Sequence, residues 1–314
     1  MQSLAQQQWL WNEDCSNVGE VAISIVNGLT VDVEDYFHAE ALASAVNRQD
    51  WDSLESRVER NIRHVLELFD RHQVRGTFFI LGWVAHRYAR VVREIHAAGH
   101  ELGCHSYWHR PIYRLTPEEF REDTLQAKKA VEDAAGEAVL GYRAPTFSVV
   151  RRSFWALEIL AELGFQYDSS IFPVRHDRYG IPDYSRFPCR HQSQNGQSLV
   201  ELPLSTFSLM GTNFPFGGGG YLRILPLGYT HFGFRRVNRD GMPVVVYFHP
   251  WELDPDQPRP NLGLRSRFRH YTNLDKMESR IDELLRSYAF APLAELPAHT
   301  RCKTGSSTSS PRAS

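Results

Sequence analysis

Leu29-Thr-Val-Asp-Val-Glu-Asp35 combines apolar and β-branched residues with three carboxylates, Asp32, Glu34 and Asp35. Its first part, Leu29–Val33, is predicted as a buried strand because it is rich in aliphatic and β-branched residues. The preceding Asn27-Gly28 predicts a tight turn from an earlier extended run over Val21–Val26. The three carboxylates therefore crowd the carboxyl end of a strand.

Beyond this stretch, short apolar runs alternate with segments of helical periodicity. Helices are predicted from about Ser53, over Val84–Ala98 with Gly99 at its end, and from the capping sequence Thr116-Pro-Glu-Glu119 to Gly136. Other predicted strands are Thr77–Leu81, Val139–Tyr142, Phe165–Asp168, Leu199–Leu204 and Pro243–Phe248, and other helices are Phe154–Leu163 and Leu274–Tyr288. This alternation predicts an α/β protein with a parallel sheet or barrel, two architectures that the pattern alone does not separate.

Composition narrows the functional class. The chain has 314 residues, with 35 Lys+Arg against 37 Asp+Glu, so a nucleic-acid protein with its usual basic excess is not expected. The 12% aromatic and 23% charged residues are ordinary globular values and exclude a largely disordered chain. The four cysteines (Cys15, Cys104, Cys189 and Cys302) are far apart, which favours neither a zinc ribbon nor a disulfide framework.

The two ends are predicted to lie outside one large domain. Residues 1–20 form an N-terminal extension without the basic and apolar regions of a signal peptide, so a cytoplasmic location is the default expectation. No segment approaches the roughly 20 apolar residues that span a bilayer. The domain is assigned to residues 21–297, and the Ser/Thr-rich residues 298–314 are predicted as a disordered tail.

Polar side chains follow the predicted strands where functional residues of parallel α/β proteins gather. Asp32 lies at the end of the first strand, and His105 and His109 follow the short segment Glu101–Cys104. The other three strand ends carry Arg143, Asp168 and His249. Together these side chains form a candidate active site.

The spacing His105-x-x-x-His109 with a distant carboxylate suits a divalent metal that keeps open positions for water and substrate. Such a metal polarises a carbonyl and lowers the pKa of a bound water towards ~7. A second carboxylate near an arginine could accept the proton of that water, and His249 could protonate a leaving group. The set predicts a hydrolase for an amide or ester.

Two other patterns have simpler interpretations. Phe216-Gly-Gly-Gly-Gly-Tyr221 lacks the Lys-Ser/Thr that follows a phosphate-binding loop, so it is interpreted as a flexible surface loop. Trp83, Trp108 and Trp251 could stack on sugar rings, although core packing is an equal alternative for Trp83.

Several motifs together resemble the NodB-homology polysaccharide deacetylases, carbohydrate esterase family four. They are the stretches 30–37, 77–83, 99–109 and 141–145. The stretches 216–223, 246–252 and 268–275 look like the subgroup found beside exosortase/PEP-CTERM exopolysaccharide loci, so the part from about residue 200 is expected to be subgroup-specific. The resemblance covers roughly Leu29–Leu296 and implies a deformed (β/α) barrel of about seven strands with the active site at the strand C-termini.

The resemblance also implies a role for each matching residue. Asp32 corresponds to the catalytic base and Arg143 to the arginine that holds it, while His105 and His109 correspond to the metal histidines. His249 corresponds to the catalytic acid, oriented by Asp168. Zinc is the expected metal, with cobalt or nickel also accepted.

Two departures from the family pattern leave alternatives open. The family has adjacent aspartates where this chain reads Asp32-Val-Glu-Asp35, so the metal carboxylate is either Asp35, which we favour, or Glu34. The tyrosine whose backbone N–H helps to stabilise the oxyanion is replaced by Thr146 or Phe147.

The predicted function is metal-dependent hydrolysis of N-acetyl groups from N-acetylhexosamine units of a bacterial exopolysaccharide, with a polysaccharide or oligosaccharide as the binding partner. Three alternatives remain at this stage. They are an O-acetyl esterase or other amide hydrolase on the same barrel, a glycan-binding protein without catalysis, and a non-haem iron oxygenase, which uses a similar ligand set.

Overall fold

The computed structural model describes residues 25–193 and 195–296. The predicted N-terminal extension (1–20), the tail (298–314) and most of the run Val21–Val26 lie outside these residues. Among the residues described, no helix combines the length and the apolar character needed to cross a bilayer.

Seven strands run parallel and side by side in the order β10-β1-β2-β3-β4-β5-β7. Strand β6 pairs antiparallel with β7 at the edge, β11 pairs with the start of β1, and β8 and β9 form a separate hairpin. The bounds are β1 Val26–Val33, β2 Thr77–Ile80, β3 Glu101–Cys104, β4 Gly141–Tyr142, β5 Tyr167–Asp168, β6 Cys189–Gln192, β7 Ser198–Glu201, β8 Thr206–Leu209, β9 Thr212–Pro215, β10 Val245–Phe248 and β11 Ala289–Ala291. The predicted α/β class with a parallel sheet is confirmed.

Helices connect successive strands and cover the outer face of the sheet. Their bounds are α1 Val58–Arg71, α2 Gly82–Arg87, α3 Ala89–Ala97, α4 Pro117–Ala135, α5 Trp155–Glu162, α6 Gly219–Ile224, α7 Leu227–Arg239, α8 Leu264–Tyr271 and α9 Met277–Ser287. Helix α4 begins with the predicted capping box of Thr116 and Glu119 and ends at Gly136, which has φ 79°. The predicted helix over Val84–Ala98 is divided at Tyr88, whose backbone (φ −125°, ψ 47°) leaves the helical region.

The prediction of a turn at Asn27-Gly28 is wrong, because both residues lie inside β1. The Asn27 side chain accepts a hydrogen bond from Val244 N and donates one to the carbonyl oxygen of Ala289. Gly28 lies where an added Cβ would be 2.5 Å from Leu293, so the glycine permits close packing against the following segment. Long-range contacts override the local turn preference here.

The glycine run after Phe216 closes the side of the sheet next to β10, which corrects its interpretation as a flexible surface loop. Gly217, Gly218 and Gly219 are buried, and Gly217 O accepts a hydrogen bond of 3.0 Å from Tyr247 N. A Cβ on Gly218 would lie 2.3 Å from both the ring and the carbonyl oxygen of Tyr247. Only glycine permits this approach, so the run is a packing feature beside β10.

Along each strand, side chains alternate between an inner face of the sheet and an outer face, against which the helices pack. Inside, Phe79, Tyr167 and Tyr247 belong to one apolar cluster. Outside, residues such as Val31 and Phe248 belong to a larger core shared with the helices. This alternation decides which polar residues at the strand ends can meet.

Candidate active site

Five polar side chains lie on the inner face of the sheet, at the carboxyl ends of its strands, as a result of the same alternation. Asp32 pairs in register with the inward Phe79, and Glu34 follows it by two residues. His105, Arg143 and His249 each come directly after an outward-facing terminal residue of a strand (Cys104, Tyr142 and Phe248). All five are buried or nearly so.

Asp32 is held by Arg143, as the sequence analysis anticipates. Arg143 Nη1 donates to Asp32 Oδ1 at 2.8 Å and to Thr30 Oγ1 at 2.6 Å. The other guanidinium nitrogens donate to the backbone oxygen and hydroxyl of Ser169. The arginine is fully buried and each of its three guanidinium nitrogens has a partner, so one oxygen of Asp32 is held in place.

Glu34, His105 and His109 form a candidate metal centre. Each offers one ligand atom, and these atoms lie within 4.8 Å of one another. His105 Nδ1 lies 2.8 Å from Arg143 O, and a hydrogen bond donated to this carbonyl leaves Nε2 available as a ligand. His109 is held in a left-handed backbone conformation with φ 51°, and its N–H donates to Ser106 Oγ. Such strain is typical of functional sites.

The electrostatics of these three residues fit a bound cation. Burial lowers the pKa of His105 to about 4 and holds the pKa of His109 well below its usual range, so both imidazoles are neutral. Burial also raises the pKa of Glu34 to about 8. Its Oε2 lies 3.1 Å from His109 Nε2 but makes no hydrogen bond in the described structure. Two neutral nitrogens and one carboxylate oxygen suit zinc or a similar divalent metal.

Asp35, the favoured metal carboxylate, does not lie with the histidines. Its Oδ2 accepts hydrogen bonds from Ser56 Oγ, Arg57 N and Val58 N, and its Oδ1 accepts one from Tyr36 N. The side chain therefore caps the first turn of α1. Glu34, the alternative that the sequence left open, continues the inward alternation from Asp32.

His249 lies across the site from Arg143. Its Nε2 is 3.0 Å from Glu34 Oε1 and 3.9 Å from Asp32 Oδ2, while its Nδ1 is 2.9 Å from Glu252 Oε2. Burial alone would lower the pKa of this imidazole, but Glu34, Glu252 and Asp32 together raise the pKa to about 9. In this arrangement the two ring nitrogens of His249 face different carboxyl groups, Nδ1 that of Glu252 and Nε2 that of Glu34.

Asp168 does not orient His249, which corrects the expectation drawn from the resemblance. It follows the inward Tyr167 and therefore faces outward, where its Oδ1 accepts a hydrogen bond of 2.5 Å from Ser170 Oγ. It pairs in register with Glu201, and the two buried carboxyl groups interact. Burial raises the pKa of Asp168 to about 6 and raises the pKa of Glu201 well above its usual value.

The carboxylate that contacts His249 Nδ1 is that of Glu252, which is not among the residues predicted for the site. It lies three residues later, in the turn Pro250–Leu253, and it also pairs with the buried Arg223. The local sequence does contain a signal, because an acidic residue at this spacing can accept the backbone N–H of the residue before the turn. Glu252 Oε2 accepts the backbone N–H of His249 at 3.0 Å.

The backbone after Arg143 is unusual, because Thr146 and Phe147 both have left-handed conformations, with φ 55° and 48°. Phe147 N donates to Ala144 O at 3.1 Å. Of the two oxyanion donors that the sequence left open, Phe147 is thus already engaged, and Thr146 N–H is the remaining candidate.

The three tryptophans differ in exposure. Trp83 and Trp251 are buried, at 6% and 4% exposed, so core packing accounts for both. Trp108 is half-buried beside His109 and can still offer part of a ring face to a sugar.

Two family models match adjacent parts of the chain. Residues 50–167 match the model described as Polysaccharide deacetylase, and residues 169–298 match a model described as Domain of unknown function (DUF3473). The boundary falls between β5 and the C-terminal region that carries Arg223, His249 and Glu252.

Curated relatives match about a third of the chain. A peptidoglycan deacetylase from Helicobacter pylori is 30% identical over 115 residues, which are 36% of this chain and 38% of the relative. A peptidoglycan-N-acetylglucosamine deacetylase from Bacillus cereus is 28% identical over 95 residues, 30% of this chain and 34% of the relative. A chitooligosaccharide deacetylase from Bradyrhizobium is 27% identical over 97 residues, 31% of this chain and 42% of the relative. The match thus spans less than half the length of each of these relatives.

Solved structures share the fold over most of the chain. A crystal structure from Mycobacterium smegmatis, named as a polysaccharide deacetylase, has a TM-score of 0.58 at 23% identity, covering 88% of this chain and 90% of that one. The allantoinase PuuE has a TM-score of 0.56 at 16% identity, covering 87% and 88%. These likenesses confirm the α/β fold. The exosortase/PEP-CTERM subgroup stays a prediction, whereas the family model and the curated relatives support the polysaccharide deacetylase family that the motifs predict.

Proposed function

We propose that this protein is a metal-dependent N-deacetylase of a bacterial polysaccharide. The observation that carries the proposal is the position of Asp32 and His249 beside the three candidate ligands Glu34, His105 and His109. A base and an acid beside a metal centre are the parts that hydrolysis of an unactivated amide requires.

Glu34, His105 and His109 are the residues that would hold the metal. Zinc suits this donor set, and cobalt or nickel would also be accepted. A divalent cation bound there supplies a Lewis acid for the acetyl carbonyl and makes a water molecule more acidic. Side chains of the protein carry out the proton transfers of the reaction.

Asp32 is the general base. Its Oδ1 is engaged by Arg143, so Oδ2 is the oxygen that faces the site. The arginine fixes the direction of this carboxylate. Asp32 Oδ2 can therefore accept the proton of the attacking water without a change of rotamer.

His249 is the general acid. Its Nδ1 is occupied by Glu252, so Nε2 is the nitrogen that delivers a proton to the departing sugar amine. An ester would leave as an alkoxide that needs less help from an acid, so this arrangement favours N-acetyl over O-acetyl substrates. The Thr146 N–H can donate to the carbonyl oxygen as negative charge develops there.

A neutral or weakly charged glycan is the substrate class that fits the formal net charge of −2. The relatives named above are deacetylases of peptidoglycan and chitooligosaccharide, which favours N-acetylhexosamine units here. The exopolysaccharide of the predicted subgroup is the specific polymer that we propose.

Acetate release tests the proposal. The protein is incubated with a panel of N-acetylated and O-acetylated glycans, before and after treatment with a chelator and again after zinc is added. We expect release from N-acetylhexosamine oligomers that the chelator abolishes and zinc restores. His105→Ala should lose both zinc and activity, whereas the exposed His96→Ala should keep both. Release that is insensitive to the chelator, or only from O-acetyl glycans, would contradict the proposal.

A further inference from the structure

We propose that the C-terminal region positions the catalytic acid through a buried relay, Arg223–Glu252–His249. Arg223 and Glu252 are positioning residues in this relay, and the inference rests on the proposed role of His249. It gives a function to the part of the chain that matches a domain of unknown function.

Glu252 fixes the imidazole of His249 with a single oxygen. Its Oε2 accepts the backbone N–H of His249 at 3.0 Å and lies 2.9 Å from Nδ1 of the same residue. A ring held at Nδ1 cannot rotate about χ2 without losing this bond. Nε2 is therefore directed at Asp32 and Glu34, on the reacting side of the site.

Arg223 fixes the other oxygen of Glu252. Its Nε donates to Glu252 Oε1 at 2.5 Å, and its Nη1 and Nη2 donate to the backbone oxygens of Thr272 and Arg269 at 2.8 and 2.7 Å. The Arg223 and Glu252 side chains are only 2% and 0% exposed. Because every nitrogen is engaged, the guanidinium has no alternative orientation, and Glu252 is held from both sides.

An aromatic stack fixes the plane of the same imidazole. Trp251 lies parallel to His249, with ring centroids 5.2 Å apart and an interplanar angle of 18°. His270 stacks on the other face of Trp251 at 4.2 Å and 14°, and its Nε2 is 2.8 Å from Gln257 Oε1. The relay and the stack converge on His249 from elements of the C-terminal region.

Core stability alone does not account for this arrangement. Burial of an arginine and a glutamate costs several kcal/mol of desolvation for each ion, and apolar residues of similar size are often at least as stabilising. Burial alone would raise the pKa of Glu252, but Arg223 and His249 instead hold its pKa at about 2. A permanent carboxylate beside His249 is what a general acid held in one orientation requires.

Proton NMR of the protein labelled with ¹⁵N-histidine tests the relay without substrate. We expect a strongly downfield Nδ1–H signal that His249→Gln removes. Glu252→Gln and Arg223→Met should remove or shift it, because they break the relay at successive positions. Arg280→Lys is the matched control, since Arg280 also donates to backbone oxygens, those of Leu222 and Leu225, but does not contact Glu252. Its spectrum should equal that of the wild type.

Kinetics and metal content separate positioning from a structural role. In Glu252→Gln and Arg223→Met, we expect kcat to fall about 10²-fold, within the range of general acid–base catalysis, with KM and zinc content unchanged. Arg223→Lys should recover part of kcat, because it restores the charge. An unshifted Nδ1–H signal in Glu252→Gln and Arg223→Met would overturn the relay. So would a loss of activity in these variants that is explained by lost zinc or by a higher KM.

Two outcomes keep this inference separate from the proposed function. If the wild type releases no acetate from any glycan, the proposed function fails, while the NMR signal still tests the relay. If the Arg223 variants do not fold, Glu252→Gln decides alone, and an unchanged signal and kcat in that variant would contradict the inference.

Discussion

Asp32 and Arg143 form an ion pair of 2.8 Å with side chains only 2% and 0% exposed, and this pair directs the second oxygen of Asp32 towards His249. A buried pair of this kind is costly unless every hydrogen bond is satisfied. Here Thr30 and Ser169 accept three further hydrogen bonds from Arg143, so each guanidinium nitrogen has a partner. The pair therefore holds the Asp32 carboxylate in a single direction.

Replacement of the base should separate catalysis from metal binding. We expect Asp32→Asn to lower the rate of acetate release by about 10²–10⁴-fold, because the amide cannot accept the proton of the attacking water. Zinc content, measured by mass spectrometry after dialysis, should stay the same. The exposed Asp256→Asn serves as the control and should retain full activity. Near-wild-type release from Asp32→Asn would show that another group is the base.

Adjacent amide substitutions should distinguish the two carboxylates at the end of β1. Glu34→Gln removes a charged ligand and should lose zinc, since neutral amide oxygens bind zinc weakly. Asp35→Asn should keep zinc but lower the free energy of unfolding by roughly 1.5–3 kcal/mol, because hydrogen bonds from the first turn of α1 to a charged acceptor are weakened. Zinc analysis and urea denaturation of the metal-free proteins check both outcomes. Loss of zinc from Asp35→Asn alone would reverse our assignment.

The glycine run should show one intolerant and one tolerant position. Gly218→Ala should destabilise the protein by about 3 kcal/mol, since the new methyl group would overlap Tyr247. Gly220→Ala is the matched control, because its nearest neighbours lie 3.9 and 4.0 Å away and the residue is in α6. Alanine in a helix gains about 0.5–1 kcal/mol over glycine. Equal midpoints of urea denaturation for the two variants would mean that the run does not pack as described.

Acid should destabilise the fold through a histidine remote from the active site. Burial, with a smaller effect of Arg75, lowers the pKa of His100 from 6.5 to about 4. The unfolded chain therefore binds a proton that the folded protein does not, and stability is complete above about pH 6.5 and is lost as the pH falls towards 4.

His100→Asn, which can still accept the Gly76 N–H, tests this pH dependence. Over this range, the slope of the free energy of unfolding against pH should be smaller than in the wild type by up to about 1.4 kcal/mol per pH unit. Urea denaturation at a series of pH values measures the slope. Identical slopes for the variant and the wild type would exclude His100 as the source.

Much of the site could be predicted because parallel strands place their carboxyl ends at one edge. Asp32 lies near the end of a predicted strand, Arg143 and His249 each follow one, and His105 follows the short segment Glu101–Cys104. The structure brings all four together. The capping box of α4 was equally predictable, since its hydrogen bonds join residues three apart in sequence.

The errors occurred where a distant partner decides the conformation. Asn27-Gly28 has the composition of a turn but extends into β1, because Val244 and Ala289 satisfy its side chain. The glycine run has the composition of a loop but packs against Tyr247. In both cases, contacts more than 25 residues away outweigh the local preference.

By itself, the sequence determined the α/β class and the residues that end each strand, because hydrophobic periodicity and chain order are local properties. Only the tertiary structure decided which carboxylate serves which purpose. Strand alternation fixes the face of the sheet on which a side chain lies, but its partner comes from another element of the fold. Asp35 turns to the free N–H groups of α1, and Asp168 faces the helix layer with Glu201. Glu252 contacts His249 Nδ1, and Arg223, 29 residues earlier in the chain, donates a hydrogen bond to Glu252.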